Sequence, residues 1–104
     1  MTRKDQIKSM LEKEPTSSFL LFALAKEYEN ENNPALAIRT YLDLLNQNNQ
    51  YTGAYYHLGK QYEAMGEIGA AVSIFTKGIE ICKQVHAMHD ASELKSALEE
   101  LEEL

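Results

Sequence analysis

The stretch SFLLFALAKEYENENNPALAIRTYLDLLNQNNQY, residues 18–51, runs without a gap into TGAYYHLGKQYEAMGEIGAAVSIFTKGIEICKQV, residues 52–85, and the second is a variation on the first. A shift of 34 residues places Leu24 on Leu58, Lys26 on Lys60, Tyr28 on Tyr62, Glu29 on Glu63 and Ala37 on Ala71. Size class survives where identity does not: Ile38 falls on Val72, Tyr41 on Phe75, Leu45 on Ile79 and Ala25 on Gly59. Self-similarity at a fixed period of roughly 20–50 residues marks a repeat architecture, in which a unit buries its apolar face only by stacking on its neighbour.

Each unit reads as two helices. Apolar residues recur three and four apart, at Leu20, Leu21, Leu24 and Tyr28, then Leu36, Ile38, Tyr41, Leu42 and Leu45, then Tyr55, Leu58 and Tyr62. Turn residues fall between the runs, at Pro15, Asn32-Asn33-Pro34, 46–50, Gly66-Glu67 and His89-Asp90. Six helices are expected, near 2–13, 17–31, 34–47, 51–65, 68–85 and 91–103, with no strand and no linker long enough to separate one domain from another. Shifting back by one period puts Ile7, Met10 and Leu11 over Tyr41, Leu44 and Leu45, so the first helix reads as the second half of a preceding unit.

At these residues the sequence resembles the tetratricopeptide repeat family. The first unit supplies Leu21, Leu24, Ala25, Tyr28, Ala37 and Tyr41 in the family's register; the second supplies Tyr55, Leu58, Gly59, Tyr62, Ala71, Phe75 and Gly78. Pro15 stands where the preceding unit would close. Three positions depart from the pattern: Leu44 where the family keeps a small residue, and Asn49 and Lys83 where it keeps proline. The resemblance implies an all-α fold, a right-handed superhelical stack in one domain: a half repeat (1–17), two repeats (18–51 and 52–85) and a C-terminal capping helix (86–104). In that last segment Asp90 and Glu93 have the spacing of a capping box, and Leu94, Ala97, Leu98 and Leu101 form an apolar stripe able to cover the second repeat. Its other face holds six carboxylates against Lys95, most of the chain's formal charge of -6, and is expected to be a solvated surface; a docking face for a basic partner is the alternative.

Composition narrows the function. The 104 residues hold 16 acidic and 10 basic side chains, an excess that disfavours a sequence-independent grip on nucleic-acid phosphates or anionic lipid. The first twenty residues contain no apolar run of the kind found in a signal peptide, and nothing approaches a membrane span. With the single cysteine, Cys82, this points to a cytoplasmic protein. No phosphate loop, paired-histidine metalloprotease motif or nucleophile elbow occurs, so neither enzyme nor cofactor is expected. Cys82, His86 and His89 would share one face of a continuous helix, the one spacing that suits a metal, but no fourth ligand stands near, and no metal site is expected.

The resemblance implies a concave groove built from the first helix of each repeat. Its candidate binding residues are Phe19, Phe22, Lys26, Glu29 and Asn30 from the first repeat and Tyr56, His57, Lys60 and Glu63 from the second. Phe22 and Tyr56 are equivalent, as are Lys26 and Lys60, so aromatic anchors and ammonium groups are expected in parallel rows that receive a peptide or helix of a partner protein. Shielding of the core edge is the competing role for Phe19 and Phe22. The Lys, Asn and Arg set with which one subclass of the family grips a peptide's C-terminal carboxylate is not recognisable here. Self-association as a homodimer, through the surface around Ile7, Met10 and Leu11, is the alternative function.

Overall fold

The computed structural model describes residues 1–103, as six helices: α1 (Arg3–Lys13), α2 (Ser18–Asn30), α3 (Pro34–Gln47), α4 (Gly53–Ala64), α5 (Ile68–Val85) and α6 (Met88–Glu102). Short polar side chains set three of the starts. Thr2 and Asp5 form a reciprocal capping box on α1, the Ser17 hydroxyl accepts from the Leu20 N–H, and the Asn33 side chain accepts from the Leu36 N–H ahead of Pro34 in the first turn of α3. The turn within each hairpin repeats as closely as the sequence does. Asn32 (φ 56°) and Gly66 (φ 75°) are left-handed, and in each turn the next residue, Asn33 or Glu67, donates its N–H to the carbonyl of Tyr28 or Tyr62.

Adjacent helices pack in order, α2 on α3, α3 on α4, α4 on α5 and α5 on α6, while α1 lies on α2. The molecule measures 43 × 29 × 19 Å, an open stack. One apolar cluster is centred on Leu24, Ala25, Tyr41 and Leu58, and a second on Tyr55, Phe75, Cys82 and Leu94; Leu45, Tyr62 and Ile74 touch both, so the core runs through the stack. Ile7 is buried and Leu11 packs on the same cluster, so at this end of the stack only Met10, 49% exposed, remains of the apolar surface considered for self-association. Among the described residues no helix is long and apolar enough to cross a membrane.

Small residues govern how closely the helices approach. Ala25, Ala37 and Ala71 are fully buried, and a Cβ on Gly59 would lie 2.2 Å from Phe75 Cε1. Leu44 and Gly78 are equivalent positions with different solutions. Leu44 fills its own space, whereas at Gly78 the space belongs to Tyr55 and to Leu94 of α6, either of which a Cβ would strike. At Asn49 the closing turn is pinned without proline, because its carbonyl accepts from the Tyr55 hydroxyl at 2.7 Å.

The last segment departs from expectation in two ways. Helix α5 stops at Val85 with His86 in the left-handed region (φ 62°) and the Ala87 N–H returning to the Cys82 carbonyl, so α6 begins at Met88, three residues early. The Asp90–Glu93 capping box does not form, because both residues are already helical. Asp90 accepts a hydrogen bond from the Thr52 hydroxyl of α4's N-cap instead, and Glu93 meets His89 at 3.2 Å. The apolar stripe is as expected: Leu94, Ala97 and Leu101 are buried and Leu98 packs beside them.

Gly59 and Gly69 provide a test with opposite signs. Gly69, the second residue of α5, has no positive φ and nothing within 4 Å of a Cβ, so alanine fits there without strain and reduces the freedom of the unfolded chain. Gly69→Ala should therefore raise stability by about 0.5–1 kcal/mol, whereas Gly59→Leu, forced against the buried Phe75 ring, should lower it by about 1–3 kcal/mol. Urea unfolding followed by circular dichroism reads both; equal effects would show that Gly59 is not a close-contact position.

Candidate functional site

The candidate residues lie along α2 and α4 and divide into exposed and embedded groups. Phe19 is 72% exposed, and Asn30 is exposed at the far end of the same helix. Phe22 is half-buried; its ring meets Tyr51 at 5.4 Å, Tyr41 at 5.9 Å and, edge-on, His57 at 5.3 Å. Of the two roles considered, Phe22 thus covers the core edge at the seam between the repeats, while Phe19 projects into solvent. Tyr56 is half-buried between His57 and Phe75.

Glu29 is the polar centre of that seam. It accepts from the Tyr41 hydroxyl at 2.9 Å within its own repeat and lies 3.2 Å from His57 Nδ1 of the next, whose ring stacks on Tyr41. Burial pushes the Glu29 carboxyl up, but the hydrogen bonds from His57 and Tyr41, helped by nearby Lys26, outweigh it and hold the group below the usual carboxylate range. Burial and the adjoining carboxylate push the Tyr41 hydroxyl far above the usual phenol range, so Tyr41 stays a donor. The second repeat lacks this arrangement: Phe75 replaces Tyr41, and Glu63 Oε2 meets Lys60 of its own helix at 3.1 Å rather than a partner across the seam.

The lysines are not free rows of charge. Lys26 lies 3.7 Å from Glu29 and Lys60 3.1 Å from Glu63, each pair one helical turn apart. The bond to Glu63 raises the Lys60 ammonium above its ordinary value.

A third wall was hidden from sequence. Helix α6 packs on α4 as well as on α5, and two adjoining hollows of about 230 and 190 Å³ lie along α4 and α6, sharing Tyr56 and Glu93. Leu94 and Leu98 follow Leu58 and Tyr62 by 36 residues rather than 34, a drift that accompanies the greater length of α5 (18 residues against 14 in α3) and that removes α6 from the repeat register. At the 36-residue offset Tyr56, His57 and Lys60 correspond to Ser92, Glu93 and Ser96; the three α6 residues line the larger of these two hollows, and Tyr56 and His57 line the smaller. A larger hollow, about 600 Å³, lies elsewhere, between the α3–α4 connection and α5, and contains none of the candidate residues.

The metal-like spacing dissolves in three dimensions. Because the chain turns at His86, Cys82 points into the core, where burial pushes its thiol up, and His89 stands exposed on α6. Among the described residues no three His, Cys, Asp or Glu side chains are grouped to hold a metal ion.

A crystal structure of a tetratricopeptide repeat domain protein from Salinibacter ruber superimposes with a TM-score of 0.80 at 33% identity, covering 85% of this chain and 98% of that one. The chain belongs to the tetratricopeptide repeat family. A solution structure of a tetratricopeptide repeat domain protein from the same organism agrees, with a TM-score of 0.82 at 33% identity over 86% of this chain and 91% of that one. The type III secretion translocator chaperone SycD of Yersinia enterocolitica shares the tetratricopeptide architecture of this chain at a TM-score of 0.86 over 95% of it and 69% of SycD; at 15% identity the likeness is one of fold. No protein-family model matches the chain, and no curated protein does.

The Glu29 seam fixes a pH dependence. A carboxyl held below its ordinary value contributes stability that is present above the unfolded pKa, about 4.3, and lost as pH falls through the folded one. Glu29→Gln should be less stable than wild type at pH 7, with the gap closing below about pH 4.3. Tyr41→Phe, which takes one donor from a charged acceptor, should cost about 1.5–3 kcal/mol at pH 7. Thermal melts from pH 7 to pH 2.5 measure both; a constant gap between Glu29→Gln and wild type would exclude the linkage.

Proposed function

We propose that this tetratricopeptide repeat protein is a non-enzymatic interaction module that holds a peptide or helix of a partner protein in the groove along α2, α4 and α6. The observation that carries the reading is the pair of open hollows beside Tyr56, walled by α4 and α6, with Phe19 exposed on α2. A half-buried ring at the base of an open hollow offers apolar area at low entropic cost, the usual property of a binding anchor. The carboxylates nearest the centre support binding over catalysis, since Glu29 is committed to Tyr41 and His57 and Glu63 to Lys60. A cytoplasmic site of action goes with this reading, supported by a lone buried thiol at Cys82.

The larger hollow between the α3–α4 connection and α5 is a weaker candidate. Its rim is a run of amide side chains, 46–50, on a connection whose backbone is exposed for most of its length, and no aromatic face opens into it except that of Tyr55, whose hydroxyl is already bound to Asn49.

Affinity for a short ligand should be micromolar, about -8 kcal/mol. With a partner isolated by co-purification on the full-length chain and titrated calorimetrically, Phe19→Ala combined with Tyr56→Ala should weaken binding about tenfold or more. Leu42→Ser combined with Lys77→Ala, on the larger hollow, should leave it unchanged. The reverse pattern would move the site to the α3–α5 side.

A further inference from the structure

We propose that the α4–α6 section of the groove receives a basic side chain, an arginine or lysine, carried by the bound segment; this rests on the groove reading above and specifies its ligand. The lining of the two hollows decides the sign. Asp90, Glu93 and Glu100 border them, Tyr56 forms a shared wall, and among the described residues no lysine or arginine lines either one. The lysines expected to face the ligand pair first within their own helices, Lys26 with Glu29 and Lys60 with Glu63, and only Lys60 also feels an α6 carboxylate, Glu100, as the last of the causes that raise its ammonium.

Asp90 accepts from the Thr52 hydroxyl, Glu93 meets the exposed His89, and Glu100 has no ion pair among the described residues. Glu93, Ser96 and Glu100 follow one another at three- and four-residue spacing, so they form a single stripe of α6 facing Tyr56. A guanidinium or ammonium group entering there finds carboxylates on one side and an aromatic face on the other, the two surroundings that favour a cation over a neutral or acidic side chain. An acidic segment would meet like charge on α6 and lysines already paired, which reverses the preference that Lys26 and Lys60 indicate in the sequence alone.

The test is a random twelve-residue peptide library panned on the full-length protein, with recovered peptides synthesised and titrated into ¹⁵N-labelled protein. Recovered sequences should be enriched in Arg and Lys over Asp and Glu, and should shift the amides of Tyr56, Glu93 and Ser96. Glu93→Gln combined with Glu100→Gln, both exposed and so compatible with the fold, should weaken the basic peptides about tenfold. Raising salt from 50 to 500 mM should weaken them as well. Peptides enriched in Asp or Glu that still shift the groove amides would overturn the charge assignment and keep the groove. Basic peptides unaffected by the double substitution would do the same. Binders that shift only α3 and α5 amides, or an absence of binders, would overturn the groove and this proposal together.

Discussion

Everything in this molecule depends on how closely the two helices of a hairpin approach. Ala25 and Ala37 in the first hairpin, and Gly59 and Ala71 in the second, are buried without a side chain that would hold the helices apart. Phe75 lies where a Gly59 side chain would be, and Tyr55 and Leu94 share the equivalent vacancy at Gly78. Interiors packed at crystal-like density do not absorb an added methylene, so these positions fix the hairpin geometry, and the geometry fixes which residues of α2 and α4 look outward. The left-handed turns at Asn32 and Gly66, each closed by the same backbone hydrogen bond, then give the two hairpins equivalent turns.

The two seams of the stack are closed differently, and the difference goes with where open space remains. Between the repeats, Glu29, Tyr41, His57 and Phe22 form a satisfied polar and aromatic plug. Between the second repeat and α6, the tyrosine is replaced by Phe75, the histidine's counterpart is Glu93, and Glu63 pairs with Lys60 of its own helix rather than across the seam. A buried network is worth most when every member is paired, and the seam lacking one is the seam that stays open. Both groove hollows lie along it.

Much of this was readable from the residues because period and size class are local properties. Helix number, the 34-residue register and the turns up to Gly66-Glu67 follow from spacing, and the starts of α3 and α5 fall where expected, whereas the turn expected at His89-Asp90 lies inside α6. Three features were not readable, each because a distant contact decides it. Asp90 carries a cap's side chain but is drawn to Thr52 after His86 turns the chain early. Lys26 and Lys60 look like free cations until Glu29 and Glu63, one turn away, face them in the folded state. Helix α6 looks like a cap rather than a groove wall because the longer α5 moves it two residues out of register.

That displaced register gives the groove a direction. Helices α2 and α6 lie on either side of α4, joined to it through the Glu29–His57 contact and the α4–α6 packing, so a segment lying across all three would span more than two helix widths, at about 8–10 Å each. Two such widths take an extended segment about five or six residues. At one end it would meet Phe19, an uncharged aromatic ring in solvent, and at the other the Glu93–Glu100 stripe. Two identical repeats would offer a ligand the same rung twice and leave its orientation free. Here the first rung is aromatic, the middle one combines a ring with a neutralised lysine, and the last is acidic, so reversing a segment with an apolar end and a basic end exchanges a favourable contact for an unfavourable one at both ends.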